Sequence, residues 1–212
     1  MTQKRIVLLK VVVWLLCLTP IAILVYDALH AQLGANPIEK VMNDLGFWTL
    51  TLLVSSLAVT PLRRITGLNW LIRFRRLIGL FAFFYVCLHF TTYVALDQEF
   101  DFAAVLLDIP KRPFILVGFL AFLLLIPLAA TSTTWSIRKL GGRNWNRLHK
   151  LVYISAALGV VHFWWKVKAD LFQPGIYATI VALLLGYRIF VWVSGRGRSK
   201  PAGGAAPAAS RP

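Results

Sequence analysis

Three of the four histidines in this chain, His89, His149 and His162, fall within long apolar runs, whereas His30 sits in a polar linker and reads as solvated. A neutral imidazole offers a ring-nitrogen lone pair to a transition metal. At bilayer depth such a group is costly, and it usually faces the bundle interior with a partner. Two imidazoles on different helices, level with one another, can clamp a haem iron from both faces while the porphyrin fills the apolar gap between the helices. The competing use of a membrane histidine is an interhelical hydrogen bond, which imposes no common depth. Cys17 and Cys87 also lie inside apolar runs and read as small core residues, not as a disulfide or a thiolate metal site. No Cys-x-x-Cys-His stretch occurs, so a haem here is held by coordination and packing alone, as haem b.

The elements that must position these residues are transmembrane helices. With 58% hydrophobic and 15% charged residues over 212 positions, the chain is far from the composition of a soluble globular domain. Apolar windows at about 6–29, 45–61, 77–96, 113–131, 149–168 and 174–194 have spanning length, since a helix needs about 20 residues to cross the hydrocarbon core. A backbone in hydrocarbon must satisfy its own hydrogen bonds, and these runs are too long and unalternating for barrel strands. The sequence therefore predicts an all-α membrane protein, a six-transmembrane-helix bundle over 1–194. A disordered cytoplasmic tail rich in Gly, Ala, Pro, Ser and Arg is expected over 195–212. Met1 to Arg5 and the run that follows resemble a signal peptide, but the run continues to about Leu29 without a convincing cleavage site and reads as a retained first helix. Pro20 and Pro127 are expected to kink their helices.

The net charge of +15 does not point to nucleic acid, because the basic residues punctuate apolar runs instead of forming a soluble basic face. Of the 23 Lys and Arg residues, all except Lys40, Lys111, Arg112, Lys166 and Lys168 fall on the side of the two termini, and every acidic residue falls on or beside the other side. The positive-inside rule then puts both termini in the cytoplasm. Trp48, Trp70, Trp145, Trp164 and Trp165, near the span ends, suit an interfacial aromatic belt.

Depth follows from helix rise. His89 lies 13 residues past Arg76 and His162 lies 15 past Arg147, so at about 1.5 Å per residue both stand roughly 20 Å above the inner boundary. They are level, and they form the expected axial pair. His149, two residues past Arg147, belongs to the cytoplasmic edge and could ligate a second haem. No histidine matches it: the residues 13 and 14 positions before His89 are Arg76 and Arg75, and arginine is a poor iron ligand but a good partner for a propionate or phosphate. On one ideal helix His149 and His162 would also be rotated by about 220° and share no stripe. Phe81, Phe84, Tyr85, Phe90 and Phe163 are candidates to line an apolar haem pocket, against the plainer reading as core.

The segments GANPIEK at 34–40, LAVTPLRR at 57–64, FRRLIGLFAFFYVCLHF at 74–90, KRPFILVGF at 111–119, PLAATST at 127–133 and LGGRNWNRLHKLVY at 140–153, followed by His162, closely resemble the MsrQ (YedZ) family over about residues 34–190. That family, the haem-binding membrane subunit of a bacterial methionine sulfoxide reductase system, is one of the ferric reductase-like transmembrane domains. It is similar to the membrane part of NADPH oxidases, where haems stack between the third and fifth helices. The resemblance implies a bacterial inner-membrane location, haem ligation by His89, His149 and His162, and an associated FMN. It implies electrons passing from the quinone pool or a cytoplasmic flavin reductase to a periplasmic molybdopterin methionine sulfoxide reductase subunit that repairs oxidised proteins. NADPH oxidases carry two histidines on the third helix; here one of those positions is arginine, so a complete second bis-histidine haem is not carried over. Arg75 and Arg76 are candidates to contact FMN, quinone or a propionate, against the plainer reading as positive-inside residues. No general acid or nucleophile stands out, so the chain is expected to be an electron-transfer subunit and not itself an enzyme. Two other functions fit the same residues: a self-sufficient metalloreductase or quinol oxidase, and a haem-free membrane assembly factor.

Overall fold

The computed structural model describes residues 3–167 and 170–197 and, among them, builds the chain from helices and short connections. In order these are α1 (Gln3–Leu29), α2 (Pro37–Thr66), α3 (Ile72–Thr92), α4 (Phe102–Lys111), α5 (Pro113–Ala130), α6 (Thr134–Leu148), α7 (Leu151–Lys166) and α8 (Phe172–Gly197). A tight turn at Asn69–Leu71 leads into α3, and a widened π turn at Tyr93–Asp97 continues it. By length and composition α1, α2, α3 with its flanking turns, α5 and α8 can each cross a membrane, while α7 is apolar but only 16 residues long.

Six of these helices overlap the expected apolar windows, α2 running from 37 to 66 where 45–61 was expected, and one difference bears on the site. The fifth window was expected to begin at residue 149, but α7 begins at Leu151, and His149 caps the C-terminus of α6 instead. The break at 149–150 removes the single-helix geometry that would have set His149 and His162 about 220° apart. At the far end α8 continues to Gly197, past the expected boundary at 194. Residues 198–212, most of the expected tail, and Lys168 lie outside the described residues.

Two helices lie outside every expected window. The Asp101 side chain caps α4 by accepting the Ala104 N–H at 2.9 Å, and Val105 and Ile109, one turn apart, are its buried face. The helix α6 is capped by Thr133, carries Arg138, Lys139, Arg143 and Arg147, and is interrupted at Gly141, whose φ of 72° breaks the helical run. Neither has spanning length, so both escape a search for apolar runs of about 20 residues.

The packing forms two helix pairs. α2 lies along α3, α5 lies along α7, and α3 and α7 approach one another only sparsely. Within the pairs Leu57, Ala82, Tyr85, Ser155 and Ala156 are completely buried. The Ser155 hydroxyl donates to the Ala121 carbonyl at 2.9 Å and fastens α7 to α5. The Tyr85 hydroxyl donates to the Cys17 carbonyl at 2.8 Å and accepts the Ile21 N–H at 3.2 Å. Those two backbone groups would close a turn of ideal helix beside Pro20, so a side chain of α3 bridges α1 at its proline. Phe90 stacks on Phe122 and meets Phe119, joining the pairs. The outward faces of α1 and α8 remain apolar, with Leu8, Leu16, Leu183 and Phe190 all more than 60% exposed, as lipid-facing surfaces require.

Candidate functional site

His89 on α3 and His162 on α7 point into the space between the two helix pairs. Their ring centres are 6.1 Å apart and their planes are 80° from parallel. Each is held by the other member of its own pair. His89 Nδ1 lies 2.9 Å from the Met42 carbonyl of α2, and His162 Nδ1 lies 2.7 Å from the Phe114 carbonyl of α5. A carbonyl oxygen only accepts, so in both rings Nδ1 carries the proton and donates. The neutral ring then keeps its lone pair on Nε2. Metal-binding histidines are oriented in this way, with the distal N–H given to a backbone carbonyl.

Four residues after each of these carbonyls stands a glycine, on the same helical face. A Cβ at Gly46 would stand 3.1 Å from His89 Cε1. A Cβ at Gly118 would stand 2.6 Å from His162 Nδ1 and 2.9 Å from its Cε1. The carbonyl at i and the bare backbone at i+4 thus form one cradle, used once on α2 and once on α5.

The arrangement fits haem iron. Imidazoles bound head-on to opposite sides of one metal ion, at about 2.0–2.1 Å per nitrogen, have ring centres roughly 6 Å apart. Among the described residues no group of three or more His, Cys, Asp or Glu side chains is placed to hold an ion by itself. A two-histidine set suits an iron whose remaining positions are filled by a porphyrin. α3 and α7 touch only sparsely, and the contact of His89 with His162 bridges them. Lys166, at the end of α7, is close enough to act electrostatically on both rings and hydrogen-bonds Asn43 of α2.

The inner region is built differently. His149 Nε2 lies 3.1 Å from Thr131 Oγ1, while the same hydroxyl donates to the Pro127 carbonyl at 2.6 Å. A hydroxyl has one proton, so here it accepts, and His149 carries its proton on Nε2. Trp145 stacks on the imidazole at 3.8 Å and donates Nε1–H to the Thr131 carbonyl at 2.9 Å. Trp145, expected in an aromatic belt, is therefore part of the His149 site. Arg75 is half-buried and acts electrostatically on His149, whereas Arg76 is exposed on another face of α3. His30 is exposed, bonded through Nδ1 to the carbonyl of Tyr26, and plays no part.

The aromatic pocket expected from sequence is only partly assembled. Phe90 remains beside the histidine pair, in the cluster with Phe119 and Phe122. Tyr85 and Phe81 pack toward α1, Phe84 is 40% exposed, and Phe163 meets Tyr177 of α8. The residues that sequence reasoning passed over are Met42, Phe114, Gly46, Gly118, Thr131 and Lys166. Glycines within apolar runs are a weak signal of close helix approach, but nothing marks the two carbonyls.

Residues 45–160, from α2 into α7, match the family described as the ferric reductase like transmembrane component. Fold and match together define a ferric reductase-like transmembrane domain. The chain is 51% identical to the protein-methionine-sulfoxide reductase heme-binding subunit MsrQ of Ralstonia nicotianae, over 93% of this chain and 92% of that one. It is 52% identical to the subunit of the same name from Herminiimonas arsenicoxydans, over 89% and 88%. It is also 45% identical to that of Bordetella pertussis, over 94% and 98%. The chain belongs to the MsrQ family and is a multi-pass membrane protein.

Proposed function

We propose that the chain is the haem-binding, electron-transferring membrane subunit of a methionine sulfoxide reductase system, with haem b held between His89 and His162. The observation that carries this reading is the matched pair of cradles: two imidazoles on separate helices stand with ring centres 6.1 Å apart, each giving Nδ1–H to a backbone carbonyl and keeping Nε2 unprotonated. The relatives' names support the same role. Bound haem supplies one-electron redox chemistry. The Met42 and Phe114 carbonyls fix tautomer and aim, and they raise the basicity of both imidazoles. Gly46 and Gly118 give the rings room, and the contacts of Phe90 with Phe119 and Phe122 tie the two helix pairs together.

The six spans in this reading are α1, α2, α3, α5, α7 and α8, within residues 1–194, with both termini cytoplasmic and 195–212 as a cytoplasmic tail. At about 24 Å, α7 is short, and Trp164, Trp165 and Lys166 anchor its outer end at the interface. Electrons enter from the quinone pool or a cytoplasmic flavin source near His149 and leave outward to a periplasmic molybdopterin subunit, where the methionine sulfoxide chemistry resides. His149 and Arg75 form the inner cofactor-binding region; the exposure of Arg76 favours a topological role for it. FMN remains a second cofactor by resemblance.

An anaerobic spectral redox titration of the purified protein beside His89→Ala, His149→Ala and His162→Ala tests the assignment. The wild type should show a b-type Soret band that His89→Ala and His162→Ala lose and His149→Ala largely keeps. A colourless wild type from cells with ample porphyrin, or four identical spectra, refutes it. If Fe(III) or oxygen oxidises the reduced protein as fast as the periplasmic partner does, the self-sufficient reductase is the better reading.

A further inference from the structure

Lys166, the last residue of α7, reaches out of its own helix pair. Its ammonium hydrogen-bonds the side-chain oxygen of Asn43 on α2 and stands 3.9 Å from Glu39, one turn earlier on the same helix. Glu39 is itself set by Asn36, the cap of α2. The Glu39 N–H donates to Asn36 Oδ1 at 3.2 Å, and Asn36 Nδ2 donates to Glu39 Oε2 at 3.1 Å. The other ion pairs found among the described residues, Lys40–Asp44 and Arg112–Asp108, join neighbours four positions apart in the chain. Of the three, Lys166–Glu39 alone runs from α7 to α2, and so from one helix pair to the other.

Both ends of this tie fall on the histidine site. Lys166 follows His162 by four positions, which on α7 puts it one turn, roughly 6 Å, further along the same face. Asn43 follows Met42, whose carbonyl accepts Nδ1–H of His89 at 2.9 Å, and stands three positions before the glycine that seats that ring. One cation is thus a helical turn from one imidazole and beside the backbone that orients the other, and it acts electrostatically on both rings. The Lys166 side chain is 33% exposed and that of Glu39 57%, so water screens the carboxylate more than the ammonium. A lysine that only anchored a helix end would turn its ammonium to water; this one turns it to α2.

We infer that Lys166 is a positioning residue that sets the reduction potential of the site: its charge, held against α2 by Asn43, favours the reduced state of an iron bound between His89 and His162, and Glu39 partly offsets it. An electron added between two neutral imidazoles is stabilised by a positive charge nearby and opposed by a negative one. The inference rests on the haem reading given above and adds to it the group that tunes the iron.

The test is a spectral redox titration of the full chain in neutral detergent, with the Soret band as the measure of haem retention. Lys166→Gln keeps a donor for Asn43 and loses the charge. It should lower the midpoint potential by the equivalent of about tenfold in the reduction equilibrium, about 59 mV for one electron. Lys166→Arg keeps the charge and should stay within about twofold of the wild type. Glu39→Gln should shift the potential the other way, upward by about threefold, the smaller effect of a more exposed charge. Opposite signs separate a field from a mere latch, because removing either partner would loosen a latch in the same sense. An unchanged potential in Lys166→Gln, an equal fall in Lys166→Gln and Lys166→Arg, or no rise in Glu39→Gln overturns the inference. If Lys166→Gln fails to retain haem, Lys166→Arg and Glu39→Gln decide the matter. A wild type without a Soret band removes the haem reading and this inference together; a normal band whose potential ignores both charges removes this inference alone.

Discussion

The outer and inner histidine regions use the same side chain in opposite protonation patterns. His89 and His162 give Nδ1–H to carbonyls of neighbouring helices and present a bare Nε2 to the gap between the pairs. His149 gives Nε2–H to Thr131 and keeps its bare nitrogen at Nδ1, next to its own backbone. The outer rings rest on glycine in helix interiors, while the inner ring lies at a helix end against Trp145. Which acceptor a neighbouring element offers, and not the identity of the residue, decides which nitrogen can meet a metal. The outer pair keeps Nε2 free of the hydrogen bonds that hold its rings, whereas the inner histidine has Nε2 engaged with Thr131.

The sharpest way to break this comparison is to delete ligands on either side of it. His162→Ala or His89→Ala should remove more than nine-tenths of the b-type absorbance, on the order expected when one of only two protein ligands is lost. His149→Ala should leave most of it, and equal loss in all three, measured as haem per protein, would erase the distinction between the regions. Next in size are the cradles. Gly118→Ala puts a Cβ 2.6 Å from His162 Nδ1, an overlap that must push the ring off the Phe114 carbonyl. We expect severalfold lower haem content and a cost of about 1–3 kcal/mol in thermal stability. Gly46→Ala, at 3.1 Å from His89, should cost less and appear mainly as a shifted midpoint potential, so the order of the two variants is itself a test.

Thr131→Val removes the acceptor of His149 Nε2–H and should cost about 1 kcal/mol without altering the outer spectrum. A change in the main Soret band would show that the two regions are coupled. The smallest effect is expected from Arg76→Gln, which at an exposed position should stay within about 0.5 kcal/mol of wild type. Arg75→Gln, beside His149, should perturb any inner component in the redox titration. If Arg76→Gln is the more damaging of the two, the inner region has been drawn on the wrong face of α3.

Much of the fold was legible because hydropathy and helix rise are local properties. The apolar windows overlap α1, α2, α3, α5, α7 and α8, although α2 begins eight residues before its window and α3 five, and counting from Arg76 and Arg147 set His89 and His162 at a similar height before any packing was known. The amphipathic helices α4 and α6 were missed because neither is long or uniformly apolar enough to register as a span. The aromatic pocket was misjudged for a related reason: a phenylalanine in an apolar run reveals its burial but not its neighbour, and Phe81 and Tyr85 turned toward α1.

The sequence by itself determined the membrane-spanning character and the asymmetry of charge, carried by residue type along the chain; the ruler from Arg147 to His162 crosses the break between α6 and α7, so the meeting of His89 with His162 was settled by packing. Tertiary structure alone decided the protonation patterns and the glycine seats. The acceptors for His89 and His162 lie 47 and 48 positions away in the chain and are backbone carbonyls, which every residue possesses. Only the packing of α2 on α3 and of α5 on α7 selects Met42 and Phe114 from all the others.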